Sequence, residues 1–151
     1  MTRPLWTAGF VDPAVIPADI EWLAIYFLTP YMGSTPIGTK LPNPPFNADT
    51  IPNGFLRVEF GGGSKANVTE WNLTTILHGY SPNEIEASQI CRTATAWMAA
   101  ARGQSISGWS VTGVPNCVAP HRLSDPNVIG LVRYRSMVTW RVPGQVLSPG
   151  G

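Results

Sequence analysis

The stretch from Leu131 to Val142 alternates more cleanly than any other part of this chain, and it limits what the rest can fold into. Val132, Tyr134, Ser136, Val138, Trp140 and Val142 share one side of a period-two element, while Arg133, Arg135, Thr139 and Arg141 share the other with Leu131 and Met137. A side made of aliphatic and aromatic groups with one serine needs a covering layer. A side with three arginines needs water, carboxylates or another molecule. Such a strand belongs in a sheet covered by helices on one face, and it does not suit a parallel strand buried on both.

The remaining elements are read around that strand. Ile20, Leu23, Ala24, Phe27, Leu28 and Tyr31 recur at helical spacing, so a helix is predicted from Pro17 to Tyr31 with Pro17 in its first turn. Trp22, Ile25 and Tyr26 lie off its main stripe, so either two core layers grip this helix or part of it meets another chain. Gly54 to Phe60 and Val68 to Tyr80 alternate as two strands of an antiparallel hairpin whose long glycine-rich tip, Gly61 to Asn67, is expected to be exposed and mobile. Ser81-Pro82-Asn83-Glu84 reads as a capping box with Ser81 as the cap. It opens a helix with an alanine-rich stripe that runs to Arg102 and stops at Gly103. Trp109 to Val114 is a short strand, and Asn116 to Asn127 reads as irregular.

The order helix, strand, strand, helix, strand, strand predicts an α/β (α+β) domain with a four-stranded mixed or antiparallel sheet and two main helices packed on it. At 151 residues one domain spanning 1–151 is the simplest division. Glycine and proline, fifteen each, are concentrated outside the periodic segments, and residues 1–12, 32–53 and 143–151 are expected to be flexible. A loop as long as 32–53 within a compact domain is usually functional.

Charge and chemistry narrow the function classes. Ten basic residues against nine acidic ones give a net charge of +1, which does not call for a polyanionic partner. Cys91 and Cys117 read as free thiols, and no signal peptide or membrane span is expected, because the longest apolar run is Trp22 to Leu28. Gly61-Gly62-Gly63-Ser64-Lys65 lacks the spacing of a phosphate loop and joins two strands instead of feeding a helix. His78, Cys91, Cys117 and His121 do not make a paired metal motif. His121, Ser124 and Asp125 are adjacent in sequence without the surroundings of an activated nucleophile. No enzyme, metal or cofactor is therefore expected. Arg57, Arg133, Arg135 and Arg141 fall on the polar sides of their strands, where they suit contact with carboxylates of another subunit or a solvated channel wall. Single-stranded nucleic acid is the rival ligand, weakened because the aromatics of the last strand point away from its arginines.

The segment from Leu56 through the glycine-rich turn to Tyr80, the capped alanine-rich helix, and the strand Arg133-Tyr134-Arg135-Ser136-Met137-Val138-Thr139-Trp140 together resemble the tail terminator proteins of long-tailed, siphovirus-like bacteriophages infecting actinobacteria. The resemblance covers Pro17 to Val142. It departs at the hairpin, where Thr69-Glu70-Trp71 stands in place of an Asp-Arg-Pro start, and at the long segment Met32 to Asn53. The resemblance implies a structural virion protein in the tail-neck region, assembled in the host cytoplasm. It would form a hexameric ring on the tail tube, end polymerisation of the major tail tube protein and meet the head-completion or connector protein. Viral double-stranded DNA would pass through its lumen without sequence-specific binding, and no membrane would be involved. A head-side connector or stopper, or a small single-stranded nucleic-acid-binding module, is the alternative. On this reading Arg57, Lys65, Arg133, Arg135, Arg141, Trp22, Tyr26, Pro44, Pro45 and Phe46 are the interface or lumen candidates.

Overall fold

The computed structural model describes residues 12–148. In chain order the elements are β1 (Val15–Ile16), α1 (Ile20–Leu28) with a 3-10 turn over Thr29–Tyr31, β2 (Ile37–Gly38), β3 (Phe55–Lys65), β4 (Glu70–Ser81), α2 (Glu84–Ala99), β5 (Ser105–Ile106), β6 (Trp109–Ser110), β7 (Gly113–Arg122), β8 (Val132–Pro143) and β9 (Gln145–Val146). Four long strands make an antiparallel sheet in the order β3-β4-β8-β7, and the short β2 adds to its β3 edge in parallel. The sheet is thus mixed and has five strands, one more than the alternation predicts, because a two-residue strand carries no period. Two small ribbons, β1-β9 and β5-β6, stand apart from it.

The cleanly alternating stretch near the C-terminus forms β8, inside the sheet between β4 and β7. Ser136, Val138, Trp140 and Val142 are buried against the helices, as their alternation requires. In-register antiparallel partners share a face, so Leu73, Thr75 and Leu77 of β4 and Leu56 and Val58 of β3 join them. Leu23, Phe27 and Leu28 of α1, with Ile90, Ala94 and Met98 of α2, close the core over that face. Phe27 meets Trp140 edge to face at 5.4 Å, and the Trp140 indole donates to the Met98 carbonyl at 2.8 Å. The one serine on this apolar face is satisfied: Ser136 and Thr95 share a hydrogen bond of 2.6 Å.

The α2 stripe of Ala87, Cys91 and Ala94 lets the helix rest almost directly on the sheet. At the contact β4 carries Gly79, where an added Cβ would lie 2.6 Å from the Ala87 carbonyl oxygen and 2.9 Å from the Cys91 nitrogen. No side chain fits between these two backbones.

Several boundaries differ from the sequence reading for local reasons. Helix α1 begins at Ile20, because Asp19 rather than the Pro17 turn caps it, its carboxylate accepting from the Trp22 amide at 3.3 Å. Helix α2 is capped by Asn83, whose side chain accepts from Ile85 and Glu86 amides. Ser81 instead braces that cap, accepting from the Asn83 amide and donating to Glu86. The helix ends at Ala99, before Gly103. The glycine run Gly61–Gly63 is not the hairpin tip: β3 continues through it to Lys65, with one extra residue accommodated between Phe60 and Gly63. The tip is the shorter turn at Asn67, whose side chain accepts from the Thr69 and Glu70 amides.

The largest correction is β7, which occupies most of the segment read as irregular. Pro115 and Pro120 conceal it in the sequence, and each coincides with a register irregularity on an edge strand, where a missing N–H costs little. Trp109–Val114 is not one strand: β6 pairs with β5, and β7 starts at Gly113. Of the segments expected to be flexible, residues 1–11 and 149–151 lie outside the described residues. Residues 32–53 contain β2 and the buried Ile51, and Gln145–Val146 pair with β1.

Gly79→Ala is expected to lower stability by about 1–3 kcal/mol through forced separation of α2 from β4. A lower urea midpoint with native circular dichroism would register it, and an unchanged midpoint would show that the helix can shift freely.

Candidate functional site

Both helices lie on one face of the sheet, which leaves the other face as the candidate site. Cross-strand register arranges its side chains in rows. Phe55, Tyr80 and Arg133 make the first; Arg57, His78, Arg135 and His121 the second; Glu59, Ile76, Met137 and Val118 the third. Thr74, Thr139 and Asn116 follow, and Asn72 with Arg141 comes last. The four arginines singled out in the sequence therefore do share one face, because three strands in register preserve the alternation read along each.

Their surroundings divide them. The Arg133 guanidinium donates to the carbonyls of Leu123 and Ser124 at 3.1 and 2.8 Å and lies 3.6 Å from Asp125. Tyr80 donates to the same Asp125 carboxylate at 3.1 Å. The segment after β7 thus folds back over the first row and buries it. Arg57 is paired with Glu59 at 3.3 Å, and Arg141 donates to Asn72 at 3.2 Å. Arg135 has no hydrogen bond or ion pair among the described residues.

At the centre of the second row His78 is buried, its Nε2 2.9 Å from Glu59 Oε1 and its Nδ1 without a partner among the described residues. Burial pushes the His78 pKa below the ordinary 6.5, more strongly than the hydrogen bond to Glu59 pulls it up, and the Arg57 charge adds to the depression. The imidazole is accordingly neutral near pH 7, with its Nε2–H donated to the carboxylate. Glu59 is held below the ordinary 4.5, first by that hydrogen bond and then by Arg57, against the opposing effect of its own burial. Alternation places these groups on one side, but their pairing depends on the β3-β4 register, so the sequence reading treats His78 only as a possible metal ligand.

The third and fourth rows are different in character. Ile76, Met137 and Val118 form an aliphatic strip across three strands, with Val118 38% exposed. Thr74 and Thr139 share a hydrogen bond of 2.8 Å beside it. Among the described residues no helix covers this region.

The other candidates lie elsewhere. Lys65 is in register with Trp71, on the helix side of the sheet, its Nζ 5.9 Å from the indole centroid. Trp22 and Tyr26 stack at 5.3 Å on the outer side of α1, 47% and 57% exposed, so among the described residues no second core layer grips that helix. Pro44, Pro45 and Phe46 line an open apolar hollow of about 480 Å³ with Asn127, Ile129 and Gly130.

Among the described residues no group of three His, Cys, Asp or Glu side chains could hold a metal ion. Cys117 and His121 are four apart, yet the irregularity after Val118 puts them on opposite faces. Cys91 and Cys117 are free thiols, and burial pushes the Cys91 thiol up. No aromatic platform for bases stands on the open face among the described residues: Tyr80 and Phe55 are buried there.

No family model matches the chain, and no curated protein matches it. Among solved structures it is similar to a chain of the "virion of native gene transfer agent (GTA) particle", at 14% identity, with 78% of this chain and 84% of that chain covered and a TM-score of 0.46. The resemblance is distant.

The depressed His78 and Glu59 values have a definite sign. Each group binds its proton more weakly folded than unfolded, so its contribution is whole above the unfolded value and is lost as pH falls from 6.5 toward the lower folded value for His78, and then from 4.5 toward the lower folded value for Glu59. The melting temperature is expected to fall between about pH 7.5 and about pH 5.5, and His78→Gln to flatten that fall. An identical slope in wild type and variant would mean that His78 is not the group responsible.

Proposed function

We propose that the chain is a non-enzymatic structural virion protein that assembles with copies of itself into a ring, caps a tail tube, ends its polymerisation and joins it to the head connector. The observation that carries the reading is the placement of uncovered apolar surface on both sides of one layered domain. The Ile76-Met137-Val118 strip lies on the open sheet face, and the Trp22-Tyr26 stack lies on the outer side of α1. A ring built from one chain needs two different surfaces that face opposite ways, since each subunit meets its neighbours through a heterologous contact. Scattered single apolar residues would need no such account; a cross-strand strip and a stacked aromatic pair do.

The sequence resemblance to tail terminators supplies the place in the particle, the tail-neck region, with a hexamer as the ring and the major tail tube protein and the head-completion protein as its neighbours. The arginines support a contact role more than a base-reading one. Arg57 and Arg133 are engaged within the chain, and the aromatics of the open face are buried. Arg135 and Arg141 are left as the candidates for a neighbouring subunit or for the wall of a DNA-filled lumen.

Native mass measurement of the purified protein, followed by imaging with growing tail tubes, tests the reading. A closed oligomer that binds one tube end and halts elongation is expected. A chain that stays monomeric at high concentration and leaves tube length unchanged would overturn it.

A further inference from the structure

We infer that the uncovered sheet face receives helix α1 of the next copy, with the acidic end of that helix at Arg135. The inference rests on the ring reading and names the two surfaces that mate.

Charge complementarity selects the occupant. From Asp12 to Thr39 the chain has three carboxylates, Asp12, Asp19 and Glu21, and no basic residue. The open sheet face has the opposite balance: Arg57 is neutralised by Glu59 and Arg133 by Asp125, so Arg135 and Arg141 remain without an acidic partner at hydrogen-bond distance. Glu21 uses one carboxylate oxygen on the Phe60 amide at 3.2 Å, and its other oxygen has no partner among the described residues.

Shape and polarity agree. Helix α1 has nine residues, which is about 14 Å of length. The β8 run from Arg135 to Arg141 spans about 20 Å, long enough to seat it. Trp22 and Tyr26 are exposed on the side of α1 turned from its own core, with the half-buried Glu21 on the flank of the helix, beside β3. Laid on the open face, Trp22 and Tyr26 would cover the Ile76-Met137-Val118 strip, and Glu21 would reach Arg135. Such a contact joins unlike surfaces on opposite sides of the domain, so it propagates from copy to copy instead of closing a dimer. Within one chain the two surfaces cannot meet, because the sheet lies between them.

Charge exchange tests the pairing in the full chain. Glu21→Arg and Arg135→Glu are each expected to raise the concentration needed for assembly about tenfold or more, and the double variant to restore most of it. Far-ultraviolet circular dichroism confirms that each variant is folded. Trp22→Ala and Val118→Asp, at exposed positions, give the same comparison if a charge variant does not fold, and each is expected to weaken assembly about tenfold. Weakened single variants without recovery in the double would place Glu21 and Arg135 in different contacts and overturn the pairing. A wild-type ring indifferent to all four changes would overturn it while leaving the ring reading intact. A wild-type chain that never assembles would overturn both.

Discussion

The close seating of α2 on β4 organises this molecule. Gly79 allows the backbone of the sheet to approach Ala87 and Cys91 without an intervening side chain, and the small residues along α2 extend that approach toward β8. Trp140 fills the space beyond, its ring against Phe27 of α1 and its indole N–H satisfied by the last turn of α2. Removing either small-residue contact would lift the helix, and the apolar sides of β3, β4 and β8 would then face water together.

That seating also decides what is left over. Among the described residues two helices, of nine and sixteen residues, cover one face of the sheet and none of the other. The open face is therefore built from side chains that can tolerate water while standing close together. Its buried end is polar and internally paired, through Glu59, His78, Arg57, Tyr80, Asp125 and Arg133. The remainder is an aliphatic strip between threonines and arginines.

Much of the architecture is legible along the chain. The alternation of β8 places Val138, Trp140 and Val142 in the core and Arg133, Arg135 and Arg141 opposite them, and the same logic sorts β3 and β4. The alanine stripe identifies α2 and foreshadows its close approach. What escapes is local chemistry at boundaries: Asn83 captures the helix amides in place of Ser81, and Asp19 in place of the turn at Pro17. Strand β7 is hidden because its prolines argue against pairing unless the strand is known to be at an edge.

Period-two and helical spacing depend only on neighbours along the chain, so they assign faces without any knowledge of partners. Register, edge position and coverage depend on residues far apart in sequence. Glu59 meets His78 only because β3 and β4 align as they do, and Arg133 is occupied only because the segment carrying Asp125 folds back over it. Four arginines on one face could thus be foreseen, whereas the difference between Arg57 and Arg133, held by carboxylates, Arg141, held by Asn72, and Arg135, with no partner among the described residues, arises from long-range packing alone.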